Sequence, residues 1–312
     1  MKNVVLTVVA CVTLLSQGLV AGAAEKVPPA TSPTSLTKLI ANSTKITTLP
    51  KSLTTPLAQV GSDRVDRYYL SLKIGCYRLT PSCTFGSSTL KKTLVLIGDS
   101  HAGMWAPAII PAANAAGYKV IVQWFPNCPA ADVVPWIVWK GQLGTDCASW
   151  RTKTLTDVAN LAPAMVVLSE STTFAQSDAN TPFSQAEWQS ALQRTISALN
   201  KPKTKVIMMG DVPYFTTSPA QCLAIHPTDV QRCSTSVLNP IPGNRQMANA
   251  ESAAAAASRV PFYNPDSLLC ASTCSPVVGT TVTFTDTNHV ASSYAASIRT
   301  ALWKGLLAAQ AK

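Results

Sequence analysis

Hydrophobic positions along the chain fall into two alternating kinds of run. Thr93 to Ile97 (TLVLI) is short, wholly apolar and β-branched, the pattern of a strand buried on both faces. A helical stretch, Ala102 to Ala116, follows it, then a second strand, Lys119 to Trp124. The alternation continues with a helix near Ala148 to Leu161, a strand at Ala164 to Leu168 and a helix from Gln185 to Leu199. A strand at Lys205 to Met209, an alanine-rich helix from Asn244 to Ala257, a short strand at Val260 to Tyr263 and a last helix, Ala291 to Ala309, complete it. Strand-then-helix order predicts a five-stranded parallel sheet with helices on both faces, a three-layer α/β/α domain. Active sites in such sheets lie beyond the carboxyl ends of the strands.

The flanking segments differ from this pattern. Lys2, the apolar run Val4 to Val20 and the small-residue site Ala21-Gly22-Ala23 read as a secretory signal peptide over residues 1–23. The alternative is an uncleaved membrane anchor. Residues 24–59, rich in Pro, Thr, Ser and Lys, read as an extended spacer, and 60–312 as the folded domain.

Composition narrows the classes further. Of 312 residues, 47% are hydrophobic and 13% charged, which excludes a wholly disordered chain. No apolar stretch after residue 23 is long enough to make a polytopic membrane protein. The net charge of +10 comes from scattered Lys and Arg rather than the stripe of a nucleic-acid binder, and suits a surface facing anionic envelope polymers. Eight of the nine cysteines follow the signal. An even number in an exported chain predicts disulfides, and their order suggests four local pairs: Cys76–Cys83, Cys128–Cys147, Cys222–Cys233 and Cys270–Cys274. None of these spacings makes a zinc site, and no glycine-rich phosphate loop is present, so neither metal nor cofactor is expected.

The first strand ends in Gly98-Asp99-Ser100-His101. A glycine turn there puts a serine hydroxyl at the start of a helix, beside backbone N–H groups able to stabilise an anion. Taken alone, Gly98-Asp99-Ser100 favours Ser100 as a plain helix cap. The chain has three histidines. His101 is adjacent to Ser100, so its side chain should point elsewhere, and His226 lies in an irregular loop. His289, in Thr285-Asp286-Thr287-Asn288-His289, has a carboxylate three residues before it on a loop. Asp286 can then hold Nδ1 and leave Nε2 for Ser100. Trp105, Trp124, Trp136, Trp139 and Trp150 either pack or stack on sugar rings. Asp211, after the fourth strand, either faces the same rim or makes a turn.

These blocks resemble the SGNH (GDSL-like) hydrolase superfamily, most closely the SGNH domains fused to membrane acyltransferase-3 proteins, which O-acetylate bacterial surface glycans. Besides Gly98-Asp99-Ser100-His101 and Asp286-x-x-His289, the resemblance rests on Trp105-x-Pro107-Ala108, Asn127-Cys128-Pro129, Cys147-x-x-Trp150-Arg151, Val166-Val167-Leu168-Ser169 and Leu269-Cys270-x-x-x-Cys274. It implies a flavodoxin-like sheet of order 2-1-3-4-5, a Ser100 nucleophile, a His289 base and Asp286 as its orienter. The strand-three block departs from the hydrolase pattern: Ser169-Glu170-Ser171-Thr172 stands where those enzymes carry G-x-N-D. An oxyanion hole missing one donor loses about 3 kcal/mol, so Asp99, Asn127, Ser171 and Thr172 become candidates for the hole or for substrate contact.

The expectation is a secreted serine-dependent O-acyl (acetyl) transferase or esterase acting on a cell-envelope glycan or glycolipid. It would work as a monomer supplied by a membrane acyl-donor protein, with no nucleic-acid partner. The alternatives are a general small-ester or lipid esterase and a non-catalytic glycan-binding module.

Overall fold

The computed structural model describes residues 25–237 and 244–311; the expected signal peptide lies outside the described residues. In chain order the elements are α1 (Pro33–Ser43), β1 (Thr84–Phe85), β2 (Lys92–Gly98), α2 (Ser100–Ala115), β3 (Tyr118–Trp124), β4 (Trp136–Ile137), β5 (Gln142–Leu143), α3 (Thr145–Leu161), β6 (Met165–Ser169), α4 (Gln185–Leu199), β7 (Lys205–Met209), α5 (Pro219–Ile225), α6 (Asn244–Ala257), β8 (Phe262–Tyr263), β9 (Val277–Val278), β10 (Thr281–Val282) and α7 (Ser292–Gln310).

The main sheet has the order β1-β3-β2-β6-β7-β8. Five strands are parallel and follow the expected order. The sixth, β1, is a short antiparallel edge strand paired with β3 through Thr84 and Phe85. Two residues carry too little periodicity to read as a strand, so the sheet is six-stranded rather than five-stranded.

Alternation along the strands splits the core. Leu94, Leu96, Val120, Val122, Val167 and Ile207 face α2 and α7 in one apolar cluster. Val95, Ile97, Ile121, Val166, Leu168 and Met208 face α3, α4 and α6 in the other. Burial on both faces is why these strands read as continuous apolar runs. The helix α4 starts where its sequence says it should, at a Ser184–Glu187 capping box.

The central strand β2 ends at Gly98, which pairs with Trp124 on one side and Ser169 on the other. Its φ is 153°. A Cβ built here would lie 1.7 Å from the Ser169 carbonyl oxygen, so only glycine lets the chain leave the sheet at this point. The next two residues begin α2. Asp99 is the N-cap, accepting the His101 N–H at 2.8 Å, and Ser100 stands in the first turn. This is where the strand order reverses, the place at which open α/β sheets form their crevice.

The spacer expected over residues 24–59 is not simply extended. Ser32 caps α1, whose Leu36 and Ile40 are one turn apart and buried. The physical reason is tertiary: an 11-residue helix is marginal alone and is stabilised by its apolar stripe packing on the domain. The arm is also tied down by backbone bonds, from Thr31 N–H to the Ser297 carbonyl, Leu49 N–H to Pro227 and Thr54 N–H to Thr280. Beyond it, Asp63 is buried at the start of α7. It accepts the Ser293 N–H and hydroxyl and the Thr55 hydroxyl, and pairs with Arg67. A carboxylate at a helix N-terminus is favourable, and this one fixes the arm next to the 286–289 loop.

The structure joins Cys76 to Cys83, Cys128 to Cys147, Cys222 to Cys233 and Cys270 to Cys274.

Candidate active site

The loop before α7 is a tight one. The Thr285 N–H donates to the His289 carbonyl at 2.8 Å, and Phe284 bridges Val290. This brings Asp286 back onto its own loop: Oδ1 accepts the N–H groups of Asn288 (3.0 Å) and His289 (2.8 Å). The His289 Nδ1–H points at the same carboxylate, 3.0 Å from Oδ1 and 2.9 Å from Oδ2. On the other side of the ring, Nε2 accepts from the Ser100 hydroxyl at 2.9 Å. Ser100 and His289 are 189 residues apart, and the fold brings them into hydrogen-bonding contact. Burial pushes the Asp286 carboxyl up, but the His289 hydrogen bond and charge, with the two backbone donors, outweigh it and hold it well below the usual carboxylate range.

Arg64, from the arm, donates Nη2 to Asp286 Oδ2 at 2.9 Å. Nothing in the sequence marked it, because it stands 222 residues away in a stretch without periodicity. Arg64, Val65, Asp66 and Lys73 form one wall of an open cleft of about 450 Å³. Ser100, Met104, Trp124, Thr285, His289 and Val290 form the rest.

The other candidates are placed differently from the sequence expectation. Asp99 is fully buried and accepts the Ser171 N–H on Oδ2 at 2.8 Å, besides capping α2. The Ser171 hydroxyl lies 2.8 Å from the Tyr214 hydroxyl. Thr172 gives both its N–H and its hydroxyl to Asp211 Oδ2, each at 2.8 Å. Asp99, Ser171 and Thr172 therefore belong to a buried hydrogen-bonded network and are not among the residues lining the cleft at Ser100. Asp211 is buried with them instead of facing the rim.

Asn127 has a left-handed φ of 64° and accepts the Trp139 Nε1–H at 3.3 Å. It is not among the residues lining the cleft around Ser100. Ser100 stands in the first turn of α2, where backbone amides have no partner within the helix and the dipole favours negative charge. Of the tryptophans, Trp105, Trp124 and Trp150 are buried, whereas Trp139 is 68% exposed on the β4–β5 hairpin.

Comparison with known proteins shows the family and the fold. The family described as "SGNH domain (fused to AT3 domains)" matches residues 70–304, and the chain belongs to it. It is accordingly an acyl transferase or ester hydrolase. The fold is similar to the periplasmic domain of a lipopolysaccharide acetyltransferase from Salmonella ser. Paratyphi A, at 15% identity and a TM-score of 0.59, over 78% of this chain and 97% of that one. A putative acylhydrolase from Bacteroides fragilis aligns at 13% identity and a TM-score of 0.45, over 79% and 97%. A carbohydrate acetylesterase from Sinorhizobium meliloti aligns at 14% and 0.44, over 70% and 99%. No curated protein matches the sequence.

Proposed function

We propose that this chain is an extracytoplasmic O-acyltransferase that moves an acyl group, acetyl in the simplest case, onto a hydroxyl of an envelope glycan or glycolipid through an acyl-Ser100 intermediate. The observation that carries it is the continuous hydrogen-bonded line from Ser100 Oγ through His289 to Asp286. Ser100 is the nucleophile, His289 the base and Asp286 the group that fixes the His289 tautomer.

In the first half-reaction the Ser100 hydroxyl passes its proton to His289 Nε2 as Oγ bonds the acyl carbon. The carbonyl oxygen takes up negative charge facing the start of α2. Collapse breaks the bond to the donor's leaving atom, which takes the proton from His289. A sugar hydroxyl then attacks the acyl-serine, gives its proton to His289, and Ser100 Oγ recovers it as the new ester forms. Water in place of the sugar gives hydrolysis, the second outcome the same site supports.

Three features favour a glycan acceptor outside the cytoplasm. Four disulfides suit an oxidising compartment. The exposed Trp139, tied to Asn127 on the loop after β3, offers an indole face at the carboxyl end of the sheet. The acetyltransferase domain it resembles in fold is periplasmic. The acyl group arrives from a membrane donor protein, in keeping with the family's fusion to AT3 domains.

The test is covalent labelling with a fluorophosphonate probe, followed by acyl-donor assays with and without a glycan acceptor. One adduct on Ser100, lost in Ser100→Ala, with acyl appearing on the glycan faster than in water, is the expected result. An unlabelled Ser100 in folded protein points to a binding module. Labelling with hydrolysis alone makes the chain an esterase.

A further inference from the structure

Two loops beside the Ser100 cleft hold large apolar side chains in solvent on braced backbone. Of the eleven exposed large apolar side chains among the described residues, seven lie in two short segments, 70–77 and 134–143, so the exposure is local rather than scattered. One tip carries Ile74, 68% exposed, and the other carries Val138, 64% exposed, next to Trp139. Neither tip is loose. Cys76 is bonded to Cys83 and donates its N–H to the Trp124 carbonyl at 2.9 Å, and the Tyr77 hydroxyl closes the turn on the Ile74 carbonyl. In the second segment β4 pairs with β5, and Cys147, just beyond them, is bonded to Cys128. The Tyr77 ring meets the Phe125 ring edge-on at 4.6 Å, and Trp139 Nε1–H donates to Asn127. Both tips therefore rest on residues 125–127, just after β3, and stand side by side at the carboxyl end of the sheet.

We propose that these two tips form a lipid-docking surface that seats the chain on an anionic bilayer, with the mouth of the Ser100 cleft at the headgroup layer. Charge selects the partner. No Asp or Glu occurs from Tyr68 to Gly98 or from Val133 to Thr145, whereas Lys73, Arg78 and Lys140 are exposed in the same stretches. None of these three forms an ion pair among the described residues. Lys140 Nζ lies over the Trp139 ring, 5.1 Å from its centroid.

Apolar tips flanked by cations, without a carboxylate, match a membrane with negative headgroups. The tips enter the apolar boundary while the cationic heads stay among the phosphates. Tyr77 and Trp139, each an apolar ring with a polar edge, suit the same boundary. Ile74 and Val138 offer a sugar neither a hydrogen bond nor a flat ring. Two separate protruding tips are also accommodated by a fluid apolar medium, where a protein partner would need two matching pockets. Lys73 lines the Ser100 cleft as well, so docking brings that cleft to the lipid surface. This surface goes beyond the proposed acyl transfer and does not depend on it.

The test is sedimentation with vesicles of phosphatidylglycerol and phosphatidylcholine in equal parts, against vesicles of phosphatidylcholine alone. Residues 1–23 are removed first, because Val4 to Val20 is apolar enough to bind lipid by itself; the described fold begins at residue 25. At low salt the wild type should bind the mixed vesicles on the order of a hundredfold more tightly, from three cations near the surface. Ile74→Ser and Val138→Ser keep every charge and should each weaken that binding about tenfold. Lys140→Gln should weaken it about fivefold. Ile225→Ser removes an equally exposed side chain from α5, outside the two loops, and should leave binding unchanged. Thermal melts and lipid-free turnover of p-nitrophenyl acetate should stay at wild-type values in all four variants.

A wild type that ignores the mixed vesicles overturns the proposal and leaves the patch to a protein partner. Full binding by Ile74→Ser and Val138→Ser also overturns it, because adsorption would then follow the net charge of +10 alone. An equal loss in Ile225→Ser does the same, since the contact would not be local. Sedimentation needs no turnover. Vesicle binding of the expected pattern by a chain whose Ser100 is inert would therefore refute the proposed function and leave the docking surface standing.

Discussion

Asp286→Asn separates an orienting carboxylate from a merely structural one. The backbone donors of Asn288 and His289 on Oδ1 can be kept by the amide oxygen. The Oδ2 position cannot be kept, because it accepts from Arg64 Nη2 and lies 2.9 Å from His289 Nδ1. An NH2 placed there meets two donors. The conflict is relieved if Nδ1 gives up its hydrogen and Nε2 carries it, but that tautomer cannot take the Ser100 proton. The same tautomer change in a serine protease triad costs on the order of 10⁴ in turnover, about 5 kcal/mol.

Stability changes far less. The depressed folded-state pKa of Asp286 contributes stability that is present at neutral pH and lost as pH falls through the carboxylate range. With Arg64 49% and Asp286 29% exposed, solvent screening limits that contribution to about 1 kcal/mol. The assay is kcat for p-nitrophenyl acetate alongside a thermal melt. A kcat within tenfold of wild type, with the melt unchanged, would refute the triad reading of this loop.

Further outcomes follow from other parts of the site. Arg64→Gln removes a donor from Asp286 and a cation from the cleft wall, and should lower kcat/KM by about tenfold while leaving urea stability within about 1 kcal/mol; a variant as active as wild type would show the contact to be idle. Glu170 is fully buried, with Oε2 on the Ala131 N–H, no hydrogen-bond partner for Oε1 among the described residues, and a pKa pushed up to about 8 by burial. The folded protein therefore keeps a proton that the unfolded chain releases, and stability should fall by a few kcal/mol as pH rises from about 5 to 8. Glu170→Gln should flatten that slope in urea melts, and an equal slope in the variant would show that other groups set it. Replacing both Cys128 and Cys147 by Ser opens a loop of 19-residue separation and should cost about 3 kcal/mol in denaturant melts. Thiol titration of the intact protein should find none of the eight bonded cysteines free.

What the sequence determined by itself is whatever depends on neighbours along the chain. Parallel strands buried on both faces must be apolar throughout, so Leu94–Ile97 and Val166–Leu168 read directly as sheet. The helix α4 begins at its local Ser184 cap, whereas α2 is capped by Asp99 rather than by Ser100. The strand–Gly98–Asp99–Ser100 turn and the Asp286-to-His289 spacing are local, and so are the four cysteine pairs. The tertiary structure decided the contacts that join distant segments, since no periodicity encodes which residues a fold will bring face to face. Arg64 reaches Asp286 only because Asp63 is fixed at the start of α7. Leu36 and Ile40 make a helix inside an otherwise irregular segment because the domain supplies a surface for them. His101, dismissed by adjacency to Ser100, meets an aspartate 110 residues on because the ends of β2 and β7 share one edge of the sheet. Ser171 and Thr172 look available for an oxyanion hole until burial shows that Asp99 and Asp211, left unpaired in the core, would cost far more than those two loop amides can supply elsewhere.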